Sequence, residues 1–261
     1  MVLAIYIVAG IFAGLTAGLF GVGGGIVVVP VLVFAFEAQG FSADTLTHLA
    51  IGTSLATIVF TSISSIWSHH KRDGVLWNIC RPMSLGLCVG AILGVWTVSQ
   101  IDGFLLKKLF GIFVLFVACS MIVKKGDRGD KPLVSASIFS FMGVFVAWVS
   151  AIFGIGGGTL TVPFLSRFKI EMKYVVGTAA ACGFPIALVG ALSNMYLGQS
   201  VQGLPEMTIG YVYLPALLGI TMTSVLFAKV GASYAHRLPS ILLRKLFACS
   251  LLLVGTRFLF F

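Results

Sequence analysis

Eleven residues, FGVGGGIVVVP from Phe20 to Pro30, return as FGIGGGTLTVP from Phe153 to Pro163, and no other feature constrains the fold of this chain as strongly. Seven of the eleven positions are identical. The chain is therefore a duplication, and each copy interrupts a long uncharged apolar run with four glycines. In water such a run of glycines ends a helix; in lipid it bares backbone N–H and C=O groups and survives only inside protein or beside water. Two glycine breaks in matching places of two halves point to a central transport site between the halves.

The medium follows from composition. A chain of 261 residues that is 59% hydrophobic and 10% charged has more apolar surface than a soluble core can hide. Apolar runs able to cross about 30 Å of hydrocarbon recur along its length, leaving no room for a separate soluble domain. The first ten residues carry no basic group, so this stretch reads as a retained first membrane segment rather than a cleaved signal. A net charge of +9 resides in short loops between apolar runs, which fits orientation in a membrane and argues against nucleic acid as a partner. The five cysteines form no CxxC or Cys-His spacing, and the four histidines form no HExxH pair, so neither a metal nor another cofactor is expected.

Three blocks match in order between the halves: the glycine breaks, Gly52-Thr53 against Gly177-Thr178, and LLKKLF at Leu105–Phe110 against LLRKLF at Leu242–Phe247. The expected division is a first repeat over 1–125, a basic linker over 126–132 and a second repeat over 133–261. Basic residues then set the topology. Loops at Lys71–Arg81, Lys124–Lys131, Arg167–Lys173 and Lys229–Lys245 belong in the cytoplasm, and the Lys/Arg-free loops at Glu37–Asp44 and Gln199–Glu206 outside. This alternation works only if each glycine-broken unit begins and ends on one side. The expected fold is thus an all-α integral membrane protein of two inverted repeats, each a glycine-broken re-entrant hairpin plus three transmembrane helices, with both termini outside. Arg257, near the outer end, stands against that count. Whether the short arms after the breaks are helical throughout, or extended as far as Pro30, is left open by the sequence.

A ligand site here needs polar groups without a charge buried in lipid, which costs at least about 2.5 kcal/mol. Consecutive glycines and helix starts supply them, so Gly23, Gly24, Gly25, Gly156, Gly157 and Gly158 are candidate anion-cradling residues. The competing reading is that they only permit close helix packing. Thr159 and Thr161 beside the second break, with Thr53, Ser54 and Thr178 in the segments that follow, are candidate hydroxyl donors, although Ser and Thr often bond their own helix carbonyls. Asn194 must find partners in lipid, and Lys71 and Arg72 stand where they could draw anions to an inner mouth. No membrane segment holds the paired carboxylates or nucleophile-base set of an intramembrane enzyme.

With AIGTSL at Ala50–Leu55 and VVGTAA after the second break, the two glycine motifs resemble the TauE/SafE family of sulfite exporters over essentially the whole chain. The resemblance implies a multi-pass permease of the bacterial inner membrane for small sulfur-containing anions such as sulfite or organosulfonates. It leaves open another small organic anion as cargo, a non-transporting helper role, and homo-oligomer formation. In one respect the halves differ: Ala179 stands where the first half has Ser54.

Overall fold

The computed structural model describes residues 2–21, 23–123, 135–168, 170–234, 252 and 255–259. The linker 126–132, the basic run 237–245 and the LLRKLF block lie outside the described residues. Apolar runs become helices, four of them with a proline inside (Pro30, Pro82, Pro163 and Pro185): α1 (Val2–Phe20), α2 (Gly25–Ala38), α3 (Ala43–His70), α4 (Trp77–Val98), α5 (Gly103–Val123), α6 (Ala136–Ile152), α7 (Gly158–Leu165), α8 (Met172–Leu197) and α9 (Leu214–Tyr234). Between α8 and α9 a two-stranded antiparallel hairpin pairs Thr208 with Tyr213 and Ile209 with Val212, a small β element that the all-α expectation did not contain. Both short arms are helical from their first residue, with Pro30 and Pro163 inside them. Proline is tolerated there because it falls in the second turn of each arm, where the loss is one intrahelical bond.

Five of the described helices are long and apolar enough to cross a membrane, spanning Leu3–Phe20, Ala43–His70, Trp77–Val98, Met172–Ser200 and Leu214–Tyr234. Their outward faces carry bulky apolar side chains, among them Leu85, Leu192 and Met222. Polar side chains turn inward instead, the arrangement a hydrocarbon solvent selects.

Packing pairs the halves reciprocally. The first helix of each half lies on the fourth of the other, α1 on α9 and α6 on α4, while α3 packs on α8 at the centre. Small residues make the outer pairs possible. Gly10, Gly14 and Gly18 of α1 set their bare faces on the α9 backbone, and Gly86, Gly90 and Gly94 of α4 do the same on α6. Such glycine-xxx-glycine rows let backbones approach where side chains would hold them apart.

Directions follow from the contacts. Gly52, near the start of α3, packs on Tyr211 beyond the end of α8, and Gly177, near the start of α8, packs on Gly74 beyond the end of α3. The two central helices therefore run antiparallel. One end of the molecule, the basic end, gathers Lys71, Arg72, Arg167 and Lys173; the other gathers Gln39, Asp44, Asp102 and the loop over 198–213. Gln39 Nε2 donates to Tyr6 Oη at 2.9 Å, which brings the start of α1 and the close of α2 to that second end. At the basic end, Lys71 Nζ lies 3.7 Å and Lys229 Nζ 5.4 Å from the centre of the Trp67 ring, an aromatic and basic pairing of the kind that marks a membrane interface.

Candidate transport site

Each glycine break ends in a left-handed residue that starts the following helix: Gly24 at φ 79° begins α2 and Gly157 at φ 72° begins α7. An L side chain is strained in that region, so glycine is dictated by geometry as well as by space. The two breaks also meet. A Cβ added at Gly23 would lie 3.2 Å from Gly156 Cα and 2.9 Å from Ile58 Cγ2, and one added at Gly25 would strike the Gly154 carbonyl. Two helix starts, each with first-turn N–H groups lacking intrahelical acceptors, are thereby set back to back at mid-height on α3.

All six glycines singled out in the sequence are in this junction or beside it. Close approach accounts for much of their need: a Cβ at Gly24 would come 2.5 Å from the Ala13 carbonyl oxygen, and one at Gly157 2.5 Å from Ile186 Cδ1. The packing role and the cradle role therefore coexist at the same residues.

The hydroxyl candidates separate into two groups. Thr53 Oγ1 accepts from the Tyr213 N–H at 2.9 Å, just ahead of α9, and Thr178 Oγ1 accepts from the Leu76 N–H at 2.9 Å, just ahead of α4. Each Gly-Thr pair thus fastens its helix to the start of the other half's fourth helix, satisfying an N–H that precedes the first turn. Ser54 Oγ donates to the Gly154 carbonyl at 2.8 Å, tying α3 to the second break. By contrast, Thr159 and Thr161 are buried on α7 with hydroxyls that have no hydrogen-bond partner among the described residues. An orphaned hydroxyl in a dry interior is costly, so these two are where a ligand's acceptors are best received.

Asn194 is buried and donates Nδ2–H to the Gly190 carbonyl at 2.8 Å, while its Oδ1 stays unpartnered. His48 is buried too. Its Nε2 lies 3.1 Å from the Val98 carbonyl, so that nitrogen carries the proton, and its ring stacks on Tyr211 with centroids 5.2 Å apart. Burial raises the Tyr211 phenol above its ordinary range, which keeps it neutral. A cavity of about 430 Å³ opens at the end away from the basic residues, lined by Gly198, Gln199, Thr208 and neighbouring backbone. It carries no charged side chain and is remote from the glycine junction, so we assign it no part in anion binding.

Sequence reasoning missed the glycine rows of α1 and α4, although their spacing of four was visible, and it missed a run of buried hydroxyls along α3 between Thr57 and Ser68.

Apolar spans turned outward, polar groups turned inward and two broken helices meeting at the centre define a multi-pass membrane protein of transporter type. The chain matches the sulfite exporter TauE/SafE family over residues 6–258 and belongs to it. It is 36% identical over 251 residues to a "Probable membrane transporter protein" of Haemophilus influenzae, covering 95% of each chain. A "Probable membrane transporter protein" of Methanocaldococcus jannaschii is 31% identical over 261 residues, with 98% of this chain and 94% of that one covered. YunE of Bacillus subtilis, described in the same words, is 27% identical over 280 residues, covering 100% of this chain and 98% of the relative. These are names of transporters and not of enzymes. No solved structure matches the chain significantly.

Proposed function

We propose that this protein carries small sulfur-containing anions, sulfite or organosulfonates, out across the bacterial inner membrane, through a site where the two glycine breaks meet. The halves, 1–125 and 133–261 joined by the linker 126–132, are read as inverted repeats whose broken helix pairs each return to the side they came from. Support for that topology comes from the antiparallel α3 and α8, from the Tyr6–Gln39 bond that closes the first hairpin at one end, and from the passage of α7 into α8 at the other. Both glycine-started helices aim their N-termini at the junction, where each contributes roughly half a positive charge. Thr159 and Thr161 complete the donor set.

One observation carries the reading: buried hydroxyls without partners stand directly after a helix start that faces its pseudo-symmetric copy. Glycine substitutions cannot test it, because they break packing and binding together. Thr159→Val keeps the shape of the side chain and removes only the hydroxyl. Purified protein in liposomes should move labelled sulfite, and Thr159→Val should lower flux while leaving the melting temperature unchanged. Away from their ends the apolar spans contain no Asp or Glu, so no acidic relay is present to couple protons. A membrane potential of 100 mV supplies about 2.3 kcal/mol per charge to an anion leaving a negative interior. Flux should therefore follow an imposed potassium potential and ignore a pH gradient at zero potential; strict dependence on the pH gradient would overturn that mode.

A further inference from the structure

From Ser54 through the end of α3 and two residues past it the chain reads SLATIVFTSISSIWSHHKR; hydroxyls recur at intervals of three and four at Thr57, Thr61, Ser64 or Ser65 and Ser68, and the guanidinium of Arg72 follows at the same spacing. At 100° per residue these positions fall within about a quarter of the helix circumference. The opposite face presents Phe60, Ile63 and Trp67 to lipid, Trp67 with 51% exposure. The helix is amphipathic with its polar stripe inside, buried from Thr57 at 1% exposure to Ser68 at 8%. From Thr57 to Ser68 the stripe climbs about 16 Å, half the thickness of a hydrocarbon core. It starts one residue from Ile58, which touches the glycine junction, and ends at the interface marked by Trp67 and Lys71.

Apart from Ser64, whose Oγ donates to the Val225 carbonyl of α9 at 2.7 Å, these hydroxyls are not committed to another helix. Thr57 and Thr61 donate to the carbonyls of Ser54 and Thr57, at 2.7 and 2.6 Å, within their own helix. A carbonyl inside a helix already accepts a backbone N–H, so turning the hydroxyl toward a ligand strands nothing. Ser65 Oγ is buried with no hydrogen-bond partner among the described residues. At the mouth, Arg72 is exposed and donates to Ser68 Oγ at 3.3 Å and to Ser233 Oγ of α9 at 2.7 Å. No carboxylate among the described residues pairs with it, so its charge is held in place by hydroxyls and left available.

The fold does not require most of these groups. Aligned on their Gly-Thr pairs, α8 places Cys182, Ile186, Gly190 and Leu197 where α3 has Thr57, Thr61, Ser65 and Arg72, and only Ser68 keeps a matching hydroxyl, Ser193. On α7 the spare hydroxyls of Thr159 and Thr161 lie between the junction and the same basic end. Polar groups of both halves therefore converge on one side of the junction.

We propose that Thr57, Thr61, Ser65 and Ser68 form the track along which a small oxyanion passes between the glycine junction and the basic face, with Arg72 selecting negative charge at its mouth. This rests on the transport reading above and adds the route and its charge filter. The test uses full-length protein in liposomes, its five cysteines replaced, with single cysteines introduced by Ser65→Cys, Ser68→Cys and, as a lipid-facing control, Ile63→Cys. Anionic and cationic methanethiosulfonates are applied from each side, and labelled sulfite flux is measured separately. The first two cysteines should react from the Arg72 side, roughly tenfold faster with the anionic reagent, in keeping with electrostatic steering. Arg72→Gln should bring that ratio close to one, Arg72→Lys should restore it, and sulfite should slow labelling at Ser65→Cys. If both cysteines are inert, or react without charge preference, while the protein moves sulfite, the track is overturned and the transport reading stands. If no sulfite moves yet labelling keeps its charge preference and its dependence on Arg72, the anion path stands and sulfite is the wrong cargo.

Discussion

The two central helices, α3 and α8, began as the same sequence and now differ in an instructive way. Both carry a Gly-Thr pair in their first half, both sit its glycine on the loop beyond the other helix's end, and both lend the threonine hydroxyl to the N–H that precedes a fourth helix. Even the last-turn carbonyls that accept from the segments beyond correspond: the Gly74 N–H donates to the His69 carbonyl at 2.9 Å, and the Tyr211 N–H to the Asn194 carbonyl at 3.2 Å. Past the Gly-Thr pair the likeness thins to Ser68 and Ser193, with hydroxyls down one helix and mainly apolar or small side chains down the other. The Gly-Thr pairs, retained in both copies, hold the scaffold; Thr57, Thr61 and Ser65, present in one copy, are free to serve chemistry.

That division can be broken most severely at the shared glycines. Gly52→Leu and Gly177→Leu should each remove folded protein from the membrane, since a side chain at either meets the partner's backbone carbonyl; size-exclusion profiles in detergent check this, and survival of one variant alone would mean the copies no longer share the load. Next in size is an exchange across the pair. Thr61→Val with Ser65→Val should cut sulfite flux about tenfold, the equivalent of one lost hydrogen bond of about 1.4 kcal/mol in transit. Val189→Ser on α8, at the position matching Ser64, should leave flux unchanged. Smaller again are the latches: Thr53→Val and Thr178→Val should each cost about 1 kcal/mol of stability, equally and additively because they lie at opposite ends of the molecule. Ser54→Ala should have the least effect, below about 0.6 kcal/mol, because α8 already functions with Ala179 at the matching position.

The duplication was legible because seven identities in eleven residues survive any packing, and the membrane setting because composition leaves no alternative. Helicity of the short arms was not, since Pro30 and Pro163 permit either an extended or a helical start, and only the left-handed Gly24 and Gly157 decide it. Thr53, Ser54 and Thr178 stood out as candidate donors to a ligand, and the structure gives each a partner within the fold. Their partners, Tyr213, Gly154 and Leu76, are 160, 100 and 102 residues away, so no local pattern could reveal that the fold itself uses them. The α3 stripe was visible as spacing, yet its significance depends on which hydroxyls remain unpartnered, which is a property of tertiary packing.

The crossed pairing of α1 with α9 also governs how the chain comes into being. Its glycine row needs a backbone that is not synthesised until Leu214 and beyond. At about 5–20 residues per second the ribosome takes on the order of 10–40 seconds to reach it. During that interval α1 stands in the bilayer with Gly10, Gly14 and Gly18 facing lipid in place of their partner, and the same delay separates α4 from α6 by a shorter margin. Neither half can complete its own helix pairs, so the fold closes only when the second copy has entered the membrane, and two half-length chains made together should assemble where either one alone does not.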